Sequence, residues 1–199
     1  MKKKILLLIS IISMNINAQE NPTNYSKNFN GDLKSWIGCF SNLNLKEFEE
    51  VEKSNFKDLY TENKSTAELE SEYIKIGTYS PNKLKLIDIY SFLNLEKKGE
   101  VYSTNIEIDQ NADLYLVNQN KKVRLFNGGS SSGIDEVFWV TENKLLLVGT
   151  TFQENQKPMI LIVDFNSKTI TRFDNTNNNC KQKKKYKSTK LNKLKIKGI

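Results

Sequence analysis

The stretch "KLKLIDIYS" (83–91) carries the carboxylate whose setting most suggests acid chemistry. Alternation puts Leu84, Leu86, Asp88 and Tyr90 on one strand face, so Asp88 stands among apolar neighbours. Desolvation raises a carboxyl pKa in such a place, as a general acid requires. The competing reading is structural: an aspartate near a strand end that binds a lysine or a backbone amide. Asp135 and Glu136 are further carboxylates that follow a flexible stretch, but adjacent strand residues point to opposite faces. Asp164 precedes a turn, where its side chain bonds turn backbone.

Most other chemistries are excluded by composition. The 199 residues contain no histidine, which removes Ser-His and Cys-His nucleophiles and His-ligated zinc. Two cysteines far apart do not compose a metal site, and no Asp-x-Asp-x-Asp-Gly cation loop occurs, so no metal or cofactor is expected. "NGGSSSG" (127–133) has the composition of a phosphate cradle, yet no Lys-Ser/Thr follows it and it joins two β segments. It reads as a linker. Cys39 and Cys180 are a candidate disulfide for an oxidising compartment; the alternative is two separate thiols, one buried and one exposed.

Binding offers more candidates than catalysis. Tyr79 and Trp139, with Phe138, are flat aromatic faces for stacking on sugar rings, or else core residues. Lys183, Lys184 and Lys185 lead a lysine-rich carboxyl-terminal segment. Of 30 basic residues, three are Lys2 to Lys4 and nine fall between Lys181 and Lys197; the remaining 18 face 23 acidic residues, so the body is net negative. A nucleic-acid-binding domain would carry its positive charge on a folded face, so nucleic acid is not expected as a partner. The tail, 180–199, is suited to electrostatic contact with an anionic surface. It reads as solvated charge, or as an edge strand with Leu194 and Ile196 alternating against Lys193, Lys195 and Lys197.

The elements that must hold these residues can be read along the chain. "MKKKILLLISIISMNINA" (1–18) has the cationic start, short apolar core and small-residue end of a secretory signal, with cleavage expected after Ala18. Residues 19–30 are polar and read as a flexible leader ahead of a single domain, 31–179. Within it, 31–73 reads as a helical layer. Leu33, Trp36, Ile37 and Phe40 fall at helical spacing, Asn44 and Glu47 predict a helix start before Phe48 and Val51, and Ser65 with Glu68 predicts another.

From about residue 74 to 174 the period becomes that of strands, and two units repeat. "YSPNKLKLIDIYS" and "LYLVNQNKKVRLFN" correspond to "WVTENKLLLVGTT" and "ILIVDFNSKTITRFD". Asn82-Lys83-Leu84 matches Asn143-Lys144-Leu145, and Lys121 and Phe126 match Lys168 and Phe173. The first unit carries about fourteen extra residues. The pattern resembles four-stranded β-propeller blades, which implies tandem antiparallel meanders. Two units are too few to close a propeller, so a sandwich or one continuous meander is expected, mainly β with a small amino-terminal helical layer. The function expected is that of an exported, non-enzymatic binding module of the bacterial envelope, engaging a protein or glycan. The alternative is a carboxylate-dependent glycan hydrolase with Asp88 as acid, which requires a second carboxylate within about 5–10 Å.

Overall fold

Residues 20–30 depart from the flexible leader expected over 19–30. The computed structural model describes residues 20–152 and 156–197; the signal segment expected at 1–18 lies outside them. Asn21 caps a 3-10 turn over Pro22–Tyr25, accepting the Thr23 N–H at 2.9 Å. Two short helices follow, α1 (Ser26–Asn30) and α2 (Lys34–Ile37). Tyr25, Phe29, Leu33 and Trp36 are all buried, so the apolar face seen at 33–40 extends back through the supposed leader. Trp36 stacks edge-on against Phe40, ring centroids 5.2 Å apart.

The helix expected after Asn44 is a single 3-10 turn, Leu45–Glu47, capped by Asn44. After β1 (Phe40–Ser41) the chain runs instead into β2 (Phe48–Asn55) and, beyond a second turn, β3 (Thr61–Asn63). Only Phe48 of β2 is buried and Val51 is 53% exposed, so a helix here would have had little apolar face to bury. Pairing decides the matter: β2 adds to one sheet beside β13 (Thr169–Asn175), and β3 adds to the other beside β9 (Lys121–Asn127). The residues expected to form a helical layer thus supply each sheet with an outer strand. Ser65 and Glu68 do form a capping box, on a 3-10 turn that leads to α3 (Ser71–Ile76).

The first sheet runs β3-β9-β8-β5-β4, with β4 at Thr78–Tyr79, β5 at Lys85–Asp88 and β8 at Asn111–Leu116. A separate hairpin, β6 (Leu95–Lys98) and β7 (Val101–Thr104), fills the extra length between β5 and β8. The second sheet runs β10-β11-β12-β13-β2, with β10 at Ser132–Thr141, β11 at Lys144–Thr151 and β12 at Pro158–Asp164. Every strand pair within both sheets is antiparallel. The protein is therefore mainly β, and the repeated phrases are the corresponding hairpins of two sheets.

Those sheets share one core. Ile87, Leu114 and Val123 belong to the same apolar cluster as Leu145, Leu147, Leu161 and Val163, which makes the arrangement a sandwich. The hairpin ends also touch: Lys85 Nζ donates to the Glu142 carbonyl at 2.9 Å. On the outer face of the second sheet, Leu146, Val148, Ile160 and Ile162 pack against Phe29, Leu33 and Trp36. Strand β11 is thus buried on both faces, which is why "LLLV" is continuously apolar rather than alternating.

The carboxyl-terminal segment is part of the fold rather than a solvated end. Strand β14 (Lys181–Gln182) pairs with β1, and Ile196 forms a parallel bridge to Tyr102. Cys180, Ser188 and Leu194 are buried, while Lys193, Lys195 and Lys197 stay exposed. Among the described residues, no helix is long and apolar enough to cross a membrane.

Candidate functional site

Asp88 is as desolvated as its neighbours imply, being 1% exposed at the end of β5. Its Oδ1 accepts the Tyr90 N–H at 2.8 Å, and Oδ2 has no partner. Burial pushes its carboxyl up to about 6, helped by the charge of Asp113 and opposed by hydrogen bonds from Tyr90 and Ser91. The register sets Asp113 directly across from Asp88 on β8, with Cβ atoms about 5 Å apart. A second carboxylate does stand nearby, but it is committed: Asp113 accepts from Arg124 Nε at 3.2 Å and lies 3.4 Å from Lys122 Nζ. With Asp113 itself 5% exposed, the pair is sealed from any substrate. Gly149, the counterpart of Asp88, faces Ile134, and any Cβ there would collide with the Gly133 carbonyl.

The second cluster arises from a bulge. On β10 the register jumps between Ile134 and Glu136, leaving Asp135 as the extra residue. Alternation is broken there, so Asp135 and Glu136 both turn toward the side covered by the helices and the tail. Asp135 Oδ2 accepts from Trp36 Nε1 at 3.1 Å and from Thr150 Oγ1 at 2.8 Å. Burial raises its pKa, those two hydrogen bonds and the charge of Lys185 working against the rise. Glu136 takes Tyr186 Oη at 2.9 Å and Ser188 Oγ at 2.8 Å on Oε2, and pairs with Lys190 through Oε1. Lys190 also donates to Thr78 and to the Val137 carbonyl, so the tail is riveted along the edge of β10.

That rivet holds Lys183, Lys184 and Lys185 over an open groove of about 490 Å³. Asp135, Thr150, Phe152, Gln156 and Gln182 complete its lining. The N–H groups of Lys183 and Lys184 both point at the Cys39 carbonyl, at 2.8 and 3.4 Å, which pins the lysine-bearing backbone ahead of Tyr186. Phe152 is 52% exposed at the end of β11, its N–H donating to the Ser131 carbonyl at 2.6 Å. A Cβ at position 133 would lie about 2.7 Å from Gln110 Oε1 and 3.2 Å from the Phe152 ring, so Gly133 lets these two side chains close over β10. The β10-β11 hairpin sets Asp135 near Phe152, and the lysines, far away in sequence, join them only through the tail's return to β1. Phe152 was not singled out by the sequence, although an aromatic residue just past a strand of buried residues was a signal available there.

The remaining candidates are dispersed. Trp139 is 8% exposed and stacks on Phe165 at 5.5 Å, with its Nε1 donating to the Thr78 carbonyl. It is a core residue rather than a sugar platform, since position 139 faces the inter-sheet side of β10. Tyr79, 40% exposed, stands on β4 of the other sheet. Cys39 and Cys180 are free and both buried, so the candidate disulfide is absent and neither thiol is exposed. The β1·β14 ladder places Cys39 across from Lys183, three residues and about 10 Å along the chain from Cys180. Burial pushes both thiols upward, away from reactivity. Among the described residues no group of three or more His, Cys, Asp or Glu could hold a metal ion. Neither a protein-family model, nor a curated protein, nor a solved structure matches this chain.

Proposed function

We propose that this protein is an exported binding module of the bacterial cell envelope, acting without catalysis through the groove beneath Lys183, Lys184 and Lys185. The observation that carries the reading is the anchoring of this lysine run on both sides, by β14 before it and by the Glu136 contacts after it. Charged side chains held on fixed backbone lose less entropy on binding than the same residues on a free tail. The address rests on residues 1–18, whose charge and apolar length are those of a signal segment. Asp88 supports binding over the hydrolase alternative, because an acid with 1% exposure cannot touch a glycosidic oxygen.

Co-sedimentation of residues 19–199 with the envelope fraction of the source organism tests this. Wild-type protein is expected in the pellet, and a Lys183→Glu/Lys184→Glu/Lys185→Glu variant in the supernatant. Equal pelleting of both would overturn the assignment of the groove. Release of reducing ends from envelope glycan by wild type, abolished in Asp88→Asn, would restore the hydrolase reading.

A further inference from the structure

We infer that the groove's ligand is an acidic glycan, a polymer whose sugar rings carry carboxylate or sulfate groups. The inference rests on the proposed binding role and goes further by naming the ligand's chemistry. Three kinds of surface meet in the groove. Lys183, Lys184 and Lys185 are exposed and supply positive charge to acid groups. Phe152 offers a half-exposed ring, the flat apolar partner that the C–H face of a pyranose needs. Asp135, Gln156 and Gln182 line the remainder, and both hydrogen bonds received by Asp135 fall on Oδ2. A carboxylate oxygen with spare acceptor capacity suits sugar hydroxyls, as do side-chain amides, which both donate and accept.

The same residues disfavour other partners. A single-stranded nucleic acid is gripped by a succession of aromatic platforms on which its bases stack, and Phe152 is the single aromatic side chain among the described residues of the lining. A protein interface of this size is built on several buried aromatic and aliphatic anchors, whereas among the described residues Phe152 is the one large apolar side chain in the lining. The volume of about 490 Å³ falls within the range of small-ligand sites and accommodates a short run of sugar residues, not a folded domain.

Titration calorimetry of residues 19–199 with polygalacturonate, dextran and single-stranded DNA, at about 20 and about 300 mM salt, tests the inference. Polygalacturonate is expected to bind and dextran not to. Phe152→Ala should weaken the polyuronate about tenfold and the triple lysine-to-glutamate variant about a hundredfold. Melting curves confirm that the variants fold, since all four side chains are exposed. Equal affinity for DNA and polyuronate, indifferent to Phe152→Ala, would overturn the glycan assignment. Absence of polyuronate binding, with envelope co-sedimentation still dependent on Lys183 to Lys185, would overturn the glycan assignment and leave the binding role standing. Loss of both would remove the two together.

Discussion

Asp88 shows how far a single residue can be read. Its burial was legible in Leu86 and Tyr90, both buried beside it, although Leu84 is 46% exposed before β5 begins; its partner across the ladder could not be foreseen, because register between β5 and β8 spans an inserted hairpin. Its raised pKa has a thermodynamic consequence. A carboxyl at about 6 in the folded chain and near 3.9 unfolded binds protons more tightly when folded. Stability therefore declines as pH rises from about 4 to about 6, then stays reduced. An Asp88→Asn variant lacks that penalty and should be more stable than wild type by about 2–3 kcal/mol at pH 8, with no such advantage at pH 4. Guanidinium unfolding at the two pH values measures this; a variant less stable at pH 8 would mean that a cation compensates the carboxylate. Glu136 is the opposite case, a buried carboxylate fully partnered. Lys190→Ala leaves it without its cation and should cost about 2–3 kcal/mol, read by the same unfolding curves.

At the level of elements, sequence signals are reliable where the partners are local. The hairpin turns at Asn82-Lys83 and Asn143-Lys144 and the capping box at Ser65 are legible because each is closed within a few residues. The segments at 45–51 and 20–30 depart from their expected elements for different reasons. Asn44 caps a turn in either case, and the strand conformation after that turn is settled by the unpaired edge of β13, which sequence does not display. Tyr25 and Phe29 sit at helical spacing, but polar residues around them obscure their shared face. The tail reads as solvated because lysines dominate its composition, while Cys180, Ser188 and Leu194, the residues that bury it, are few. Truncation after Cys180 should accordingly lower stability by about 3 kcal/mol or more, since it removes Leu191, Leu194, Ile196 and Tyr186 and uncovers the apolar surface they pack against. Unchanged urea unfolding after that truncation would show that the tail contributes nothing to the fold. Gly149→Ala should be comparably destabilising, because the Gly133 carbonyl occupies the space a methyl group needs.

For the whole molecule, the repeat in sequence correctly marks two antiparallel sheets, and the excess length of the first unit appears as the β6·β7 hairpin. What the repeat could not convey is that both sheets borrow an outer strand from the amino-terminal third, or that the far end of the chain returns to β1. The lysines, Phe152 and Asp135 become a site only through that return. Charge alone and site geometry can be separated by a charge-matched control. Lys27, Lys57 and Lys97 are exposed and do not line the groove. Converting these three to glutamate alters net charge as much as converting Lys183, Lys184 and Lys185. The decisive measurement is envelope binding of the two triple variants beside wild type at about 150 mM salt. Retention by the control variant and loss by the groove variant are expected; equal loss by both would mean that the protein is held by its net charge and that the groove is not a binding site.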